Sequence, residues 1–447
     1  MKHGNLLTTL ILLGLVAGVA VGQALFAAYG QAEPESLLWL KNVGDLVLIR
    51  PLTLMIIPLI FVSVIVGVTS LGDPAKLGVV GGSTVFYYMV TMLLAVVLGA
   101  TLVSTFKPGV GLPEDQVAVL RAEGERTYAE RTDLQAPIER AEDMGLGGAW
   151  MNILEQVVPT NIVAEMGATR PLGVIIFALF LGLALAATGQ RAEPAIRFFD
   201  SLFQGLMVLV MWIIWLTPIG VFFLVAWTVG TIGLSALVGP LSKYMILVIV
   251  GLAIHGGIVL PAILYLLTRN NPYRFMWQMR KALMTAFGTD SSSATLPVTI
   301  QTAEMEGGCS KKAANFVLPL GATVNMDGTA LYEAVAVVFL FQLFGIDLSF
   351  AELVIVVITA TLAAVGAAGI PSAGLVTMVL VIVAVNRSLA GQGVEALPVA
   401  AIGIIIGVDR ILDMCRTVVN VWGDAVGAKL ITKLAPDTEE DLEKAAG

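Results

Sequence analysis

Asp409, Asp413, Arg416, Thr417, Asn420 and Asp424 punctuate an otherwise apolar run at 397–432. Taken as a helix at 100° per residue with Asp409 at zero, Asp413 lies at ~40°, Arg416 at ~−20° and Thr417 at ~80°, while Asn420 lies at ~20° and Asp424 at ~60°. All six share one stripe about 100° wide, and the other faces are mostly Ile, Leu, Val and Met. A charge at the centre of a bilayer costs roughly 3 kcal/mol on insertion scales, so ionisable groups there are functional candidates by default. The bland alternative is a structural network that locks helices together, and six polar positions on one stripe are many for packing alone. Arg416 is permanently charged, and its planar fork can hold a carboxylate bidentately. Asp413, one turn away, can take a cation or an ammonium group. An Arg and an Asp so spaced match an amino acid bearing a second carboxylate. Asp424 has no arginine within one turn, which points to an inorganic cation or a proton.

A second constellation is L-G-A-T-V-N-M-D-G-T-A-L-Y-E at 320–333. Asn325 and Asp327 are two apart, so an ideal helix would point them to opposite sides. Gly321 and Gly328 permit local unwinding, which frees carbonyls. Hard cations prefer oxygen ligands, and carbonyls with Asn and Asp oxygens supply them. A plain Asn-Met-Asp-Gly turn is the alternative, which fits poorly inside the apolar run from Phe316 to Phe344. Glu333, one turn beyond Thr329, is a proton-carrier candidate. The tip D-S-S-S-A-T-L-P at 290–297 offers hydroxyls, Ser291 and Ser292 among them, and the amides of a helix start, which favour an anion. The expectation is that Pro297 stiffens the exit from this tip. G-A-A-G-I-P-S-A-G at 366–374 suits a flexible lid with glycine hinges, or else an ordinary loop between helices.

These groups need a membrane-spanning frame. The 447 residues are 57% hydrophobic and 13% charged, about half the charge of an ordinary soluble chain. Apolar spans read as 5–30, 37–70, 80–105, 150–188, 199–231, 236–268, 313–343 and 397–432. The first is too long for a signal-peptide core and long enough to cross. Two further apolar segments, 276–308 and 347–386, are interrupted by the serine and glycine tips. Each half is too short to span, so the expectation is a pair of re-entrant hairpins. The fold class expected is an all-α polytopic membrane protein with eight transmembrane helices, two re-entrant helical hairpins and inverted repeats. With a cytoplasmic amino terminus, Lys76, Arg191, Arg197, Arg269, Lys281, Lys311, Lys312 and Lys429 all fall inside, as do both termini. The 107–148 loop, with nine acidic and five basic residues, falls outside. Two hairpins opening from opposite sides, each followed by a polar helix, point to a midplane site of alternating access.

The motifs S-S-S-A-T-L-P, N-M-D-G-T-A-L-Y-E, A-A-G-I-P-S-A-G and D-x-x-x-D-x-x-R-T-x-x-N-V-x-G-D together resemble the glutamate/aspartate transporter family, the dicarboxylate/amino acid:cation symporters. V-P-T-N at 158–161 and V-F-Y-Y-M-V-T at 85–91 extend the resemblance over nearly the whole chain. It implies that Arg416 binds a side-chain carboxylate and Asp413 the substrate ammonium. Thr417, Asn420, Ser291, Ser292 and Thr329 would complete that site, with backbone from Ile370 and Gly374. One sodium would lie among Gly321, Asn325, Asn420 and Asp424. A second would use Thr323, Met326 and carbonyls near Ala364, Val365 and Ala367, and a third Tyr88, Thr91, Asn325 and Asp327. The resemblance further implies a homotrimer in the plasma (inner, cytoplasmic) membrane. Residues 1–70 and 150–231 would form the scaffold, and 80–105 and 236–432 an elevator-type transport domain. The chain departs from the family at Met92, where members with a well-formed third sodium site carry Ser or Thr. Asp290 stands where some members have Arg, and Met414 where others have it. Glu333 is Gln in some sodium-only members and Glu in proton-coupled ones.

The function expected is symport of L-aspartate or L-glutamate coupled to sodium, with protons as a further coupling ion. The alternative is a purely proton-coupled glutamate/aspartate or C4-dicarboxylate symporter. Relatives of neutral substrates lack the arginine, and C4-dicarboxylate relatives lack the ammonium-binding aspartate; this sequence keeps both. An intramembrane aspartyl protease would need G-x-G-D where the chain has V-W-G-D, and a serine type would need a Ser–His pair, with His255 the one intramembrane histidine. A channel would pass solute without concentrating it, and two tips of opposite polarity favour two gates instead. Two cysteines, Cys309 and Cys415, offer neither a disulfide framework nor a metal cluster, and no basic patch invites nucleic acid.

Overall fold

The computed structural model describes residues 2–29, 34–71, 74–131, 134–135, 137–142, 151, 155, 158–168, 170–234, 241–365, 369, 371–390, 392, 394 and 396–437. Among the described residues there is no β-strand. The chain begins with α1 (Lys2–Tyr29), α2 (Leu38–Gly44), α3 (Arg50–Leu71), α4 (Pro74–Phe106) and α5 (Glu114–Glu130). It continues through α6 (Ile162–Gly167), α7 (Pro171–Thr188), α8 (Glu193–Ile214), α9 (Thr217–Ile232), α10 (Ser242–Ile254), α11 (Leu260–Thr268) and α12 (Pro272–Gln278). The last third holds α13 (Arg280–Thr289), α14 (Ser292–Met305), α15 (Lys311–Val324), α16 (Asp327–Leu343), α17 (Phe350–Val365), α18 (Ala373–Ala390) and α19 (Gly403–Ile431).

Long apolar helices satisfy every backbone group internally, which is what a bilayer demands. Among the described residues, seven helical stretches have the length and hydropathy to cross, from Thr9–Tyr29 to Ala373–Ala390. The chain is therefore an all-α, multi-pass membrane protein. The eight expected spans differ in detail. The span 199–231 is two helices, α8 and α9, parted at Trp215–Leu216 just ahead of Pro218, a ring that fixes φ and cannot donate to the preceding turn. Pro171–Ile214 forms one near-continuous stretch, because α7 passes into α8 through a short 3-10 turn. In the expected span 150–188, the regular structure described is α6 and α7. The acidic 107–148 segment is not merely a loop: it carries α5, which starts with Glu114 and Asp115 in its first turn, where anions favour the helix dipole.

Burial separates the helices. The window of highest hydropathy in Lys311–Leu343 is 94% buried, whereas that in Thr9–Tyr29 is 17% buried. So α15 and α16 form the protein's centre, and α1 lies at its edge. α1 packs along α9. Gly18 and Gly22 make this possible: a Cβ would lie 2.9 Å from the Phe222 carbonyl oxygen at the first and 2.7 Å from that of Ala226 at the second. Small residues four apart bring helix backbones together where no hydrophobic force drives association. α3 packs on α7 and α8 and also on α14 and α15. α19 packs against α13, α15 and α16, and α16 lies along α4.

Two helix pairs carry the tips. α13 and α14 pack on each other and are joined at Asp290–Ser291, and α17 and α18 form a second packed pair. Asp290 has left-handed φ of 56°, which lets the chain reverse within two residues. Ser291 caps α14, its Oγ accepting from the Ala294 amide at 3.1 Å. Pro297 sits inside α14 as its sixth residue rather than in an exit loop, where it cannot donate to the Ser293 carbonyl.

Candidate functional site

α19 is helical throughout the stretch that holds the polar stripe. Asp409, Asp413, Arg416, Thr417, Asn420 and Asp424 are all 5% exposed or less. Arg416 stands at the centre. Its Nη1 donates to Asp409 Oδ1 at 2.8 Å and its Nε to Asp413 Oδ1 at 2.7 Å, and its Cζ lies 4.1 Å from the centroid of the Tyr332 ring. Asp413 Oδ2 also accepts from the Ser372 amide at 2.6 Å. The buried guanidinium is thus neutralised by two carboxylates and an aromatic face, the conditions under which a buried charge is tolerated. Arg416 Nη2 has no hydrogen-bond partner among the described residues. It points to Gly374, where a Cβ would lie 3.7 Å from it.

The stripe meets both tips. A small cavity is lined by Asp290, Ser291, Ser292, Met326, Thr329, Gly369, Ala373, Gly374, Asp413, Thr417 and Asn420. Asn420 fixes its floor, donating to Thr329 Oγ1 at 3.2 Å and accepting from the Gly328 amide at 2.7 Å. The two tips touch each other over it. Gly369 O accepts from Ser291 Oγ at 2.6 Å and from the Ser293 amide at 3.1 Å. The expected substrate residues Ser291, Ser292, Thr329, Gly374, Asp413, Thr417 and Asn420 all line it; Arg416 stands behind the lining, against Gly374 and Asp413, and Ile370 lies outside the described residues.

The break between α15 and α16 falls at Asn325–Met326, both with extended-side dihedrals. It does not fall at Gly321 or Gly328, as expected. Those glycines serve close packing instead. At Gly321 a Cβ would lie 2.7 Å from the Tyr88 hydroxyl and against Asp424 Oδ1, and at Gly423 one would lie 2.7 Å from Asp327 Oδ2. The break turns Asn325 and Asp327 to the same side. Asn325 Nδ2 donates to Asp424 Oδ1 at 3.0 Å, and Thr91 Oγ1 donates to Asn325 Oδ1 at 3.3 Å. Tyr88 donates to the Val317 carbonyl at 2.6 Å. Asp327 Oδ2 lies 3.3 Å from His255 Nε2, and Asp327 Oδ1 has no hydrogen-bond partner among the described residues. This oxygen-rich set, with one orphaned carboxylate oxygen and glycine-sized gaps, fits a hard monovalent cation.

Other expected ligands are placed as follows. Met326 Sδ accepts from Asn420 Nδ2 at 3.4 Å, and Thr323 Oγ1 donates to the Leu320 carbonyl at 3.0 Å. Ala364 and Val365 end α17, while Ala367 lies outside the described residues. Gly369 comes against the Ala322 carbonyl, so the second tip sits directly on the end of α15. Met92 is fully buried beside Thr91 and adds no oxygen. Glu333 accepts a short hydrogen bond from Thr377 of α18, and its Oε2 has no partner among the described residues.

Three participants escaped the sequence reading. Asp409 was placed on the stripe but not paired with Arg416, although a spacing of seven on one face carried that signal. His255 enters the sequence argument only as the one intramembrane histidine, and its place beside Asp327 follows from α10 packing on α16. Tyr332, under Arg416, gave no sequence signal.

The Sodium:dicarboxylate symporter family model matches residues 7–434. Among curated relatives, the human Neutral amino acid transporter B(0) is 38% identical over 466 residues, covering 98% of this chain and 82% of its own. The Excitatory amino acid transporter of Caenorhabditis elegans is 38% identical over 453 residues, covering 96% and 87%. Excitatory amino acid transporter 3 of Oryctolagus cuniculus is 36% identical over 466 residues, covering 97% and 85%. These are transporters and not enzymes, and the family match extends from α1 to α19: the chain belongs to the sodium:dicarboxylate symporter family.

Proposed function

We propose that this protein is a secondary active symporter that carries acidic amino acids, L-aspartate or L-glutamate, together with sodium. The observation that supports it best is the unpartnered Nη2 of Arg416 facing Gly374 at the cavity, beside Asp413. A side-chain carboxylate meets the guanidinium and the α-ammonium meets Asp413, while Ser292, Thr417 and Asn420 hold the α-carboxylate end. Both substrate charges then replace contacts that Arg416 and Asp413 make with each other. Sodium, as co-substrate, goes to the Tyr88, Thr91, Asn325, Asp327 and Asp424 oxygens and to a second set near Thr323, Met326, Ala364 and Val365.

In this reading α13–α14 and α17–α18 are re-entrant hairpins related as inverted repeats, and their tips are the two gates. α4 and α10–α19 travel as the transport domain against α1–α3 and α7–α9, in a homotrimer of the plasma membrane with both termini cytoplasmic. Glu333 carries a proton as a further coupling ion.

Uptake of L-aspartate into proteoliposomes tests the proposal, with an inward sodium gradient at fixed pH against a proton gradient without sodium. Sodium-driven concentration of aspartate is the expected result. Uptake driven by protons alone would remove the sodium sites and leave a proton-coupled symporter. Relatives named as neutral amino acid transporters stand beside relatives named as excitatory amino acid transporters, so a neutral substrate is the second reading. L-serine that competes fully with aspartate, or replaces it, would establish that reading.

A further inference from the structure

Asp290 is an acidic residue at the tip of the first helix pair, 1% exposed, whose two carboxylate oxygens accept no hydrogen bond among the described residues. It lines the same cavity as Asp413, Ser292 and Thr417. A bare carboxylate there would repel an anionic side chain, compete with Asp413 for the ammonium and stand unsolvated, the most costly state for a buried charge. One cation reaches it. Arg410 Nε lies 3.0 Å from Asp290 Oδ2, in an ionic contact rather than an aligned hydrogen bond.

Arg410 belongs to α19, one residue along from Asp409, and so stands off the polar stripe on the side toward α9. Its guanidinium is itself held. Its Cζ lies 5.3 Å from the centroid of the Trp227 ring in α9, within the range of a cation–π contact. Lys41 Nζ of α2 lies 5.6 Å from that same ring and 3.8 Å from Asp45. A line of charge and aromatic contacts therefore runs from α2 and α9 through Arg410 to the tip. Arg410 thus brings a positive charge to Asp290 from the neighbouring helix.

We propose that Arg410 is a positioning residue for substrate binding: it cancels the charge of Asp290 at the cavity, so that Arg416 and Asp413 alone read the substrate. The inference rests on the amino acid symport reading, and goes beyond it by assigning a pair outside the substrate-contacting set. It requires that the effect of Arg410 pass through Asp290. A residue needed only for packing between α19 and α9 has no such requirement.

The test is a double-mutant cycle on the purified full-length protein, reading L-aspartate and L-serine affinities by titration calorimetry in saturating sodium. Arg410→Gln should weaken aspartate binding by about tenfold, the scale of coupling between contacting charges. Serine, which lacks a side-chain charge, should change by less than the aspartate value. Asp290→Asn in the Arg410→Gln background should return aspartate affinity to within about threefold of the parent. Asp290→Asn alone closes the cycle. Equal losses in Arg410→Gln and in the double variant, or an unchanged Arg410→Gln, would overturn the inference. A parent protein that binds serine and not aspartate removes the acidic substrate reading, and the pair is then judged on serine: rescue in the double variant upholds it, and no rescue sinks it. Melting temperatures of all four proteins, taken without substrate, distinguish a folding loss from a binding loss.

Discussion

Arg416 does two things at once at the residue scale. It answers Asp409 and Asp413, and it keeps one edge of its fork unpaired against Gly374, which lines the cavity. Removing it would leave two buried carboxylates facing each other, a loss of about 3–5 kcal/mol for a broken buried pair. Arg416→Ala should therefore abolish aspartate binding and also lower the melting temperature. Arg416→Lys keeps the charge and loses the fork, so it should fold and still bind aspartate at least about tenfold more weakly. Unchanged aspartate affinity in Arg416→Lys would show that the substrate carboxylate goes elsewhere. Glu333 offers a second test at this scale. It is fully buried and bonded to Thr377 of α18. If it carries a proton with the substrate, uptake falls as pH rises, because the deprotonated side chain has none to carry. Glu333→Gln should then give uptake that is flat across pH, measured at a constant sodium gradient; a retained slope would assign the pH dependence to another group.

Elements set what these residues can reach. The two-residue break between α15 and α16 puts Asn325 and Asp327 on the same side of a rod that would otherwise present them on opposite faces. Glycines at 321 and 423 let the oxygen atoms of neighbouring helices close over that break. Gly321→Ala should thus remove sodium-dependent stabilisation and also lower the melting temperature, since the added Cβ would enter the space against Asp424 and the Tyr88 hydroxyl. Thermal shift against sodium chloride, with potassium chloride as control, reads this directly. The α1–α9 contact obeys the same rule for a different end. Gly18→Leu would push α1 from the Phe222 and Ala226 backbone and should destabilise the edge of the protein without altering sodium affinity. α5 belongs to this scale too. Arg121 of α5 stacks on Phe344 at 4.0 Å and donates to the Leu343 carbonyl at 3.2 Å, and Gly124 lies against Gly403 and Ile404. The acidic segment is thereby docked on the ends of α16 and α19.

On the scale of the whole molecule, α3 contacts helices of both proposed domains. It packs on α7 and α8 and also on α14 and α15. A cleft between them is lined by Arg50, Thr53 and Ile56 from α3 and by Ser293 and Ala294 from α14. If α14 travels relative to α3, a covalent link across the cleft must stop transport and spare binding. In a background with Cys309 and Cys415 replaced by alanine, Ile56→Cys with Ala294→Cys and a mercury bridge should abolish uptake while substrate affinity in detergent stays within about threefold. Uptake that survives a complete bridge, judged by protection from thiol labelling, would refute relative motion of these two helices.

The sequence by itself determined the class of protein, the stripe and the two interrupted segments. Those rest on local rules: apolar length against bilayer thickness, and a helical period that needs no partner to be read. Thus Asp409 to Asp424 lay on one face in advance, and the serine and glycine tips were recognisable as breaks. What the tertiary structure decided were pairings between segments far apart in the chain. That Arg416 is held by Asp409 and Tyr332, that His255 meets Asp327, and that Asp290 is answered by Arg410 over Trp227 depend on how α9, α10, α13, α16 and α19 pack. The glycines at 321 and 328 show the same division. Read locally they signal unwinding, but packing used them for close approach and put the unwinding at Asn325 and Met326 instead. A single helix carries its own periodicity, whereas the distance between two buried charges is a property of the whole bundle.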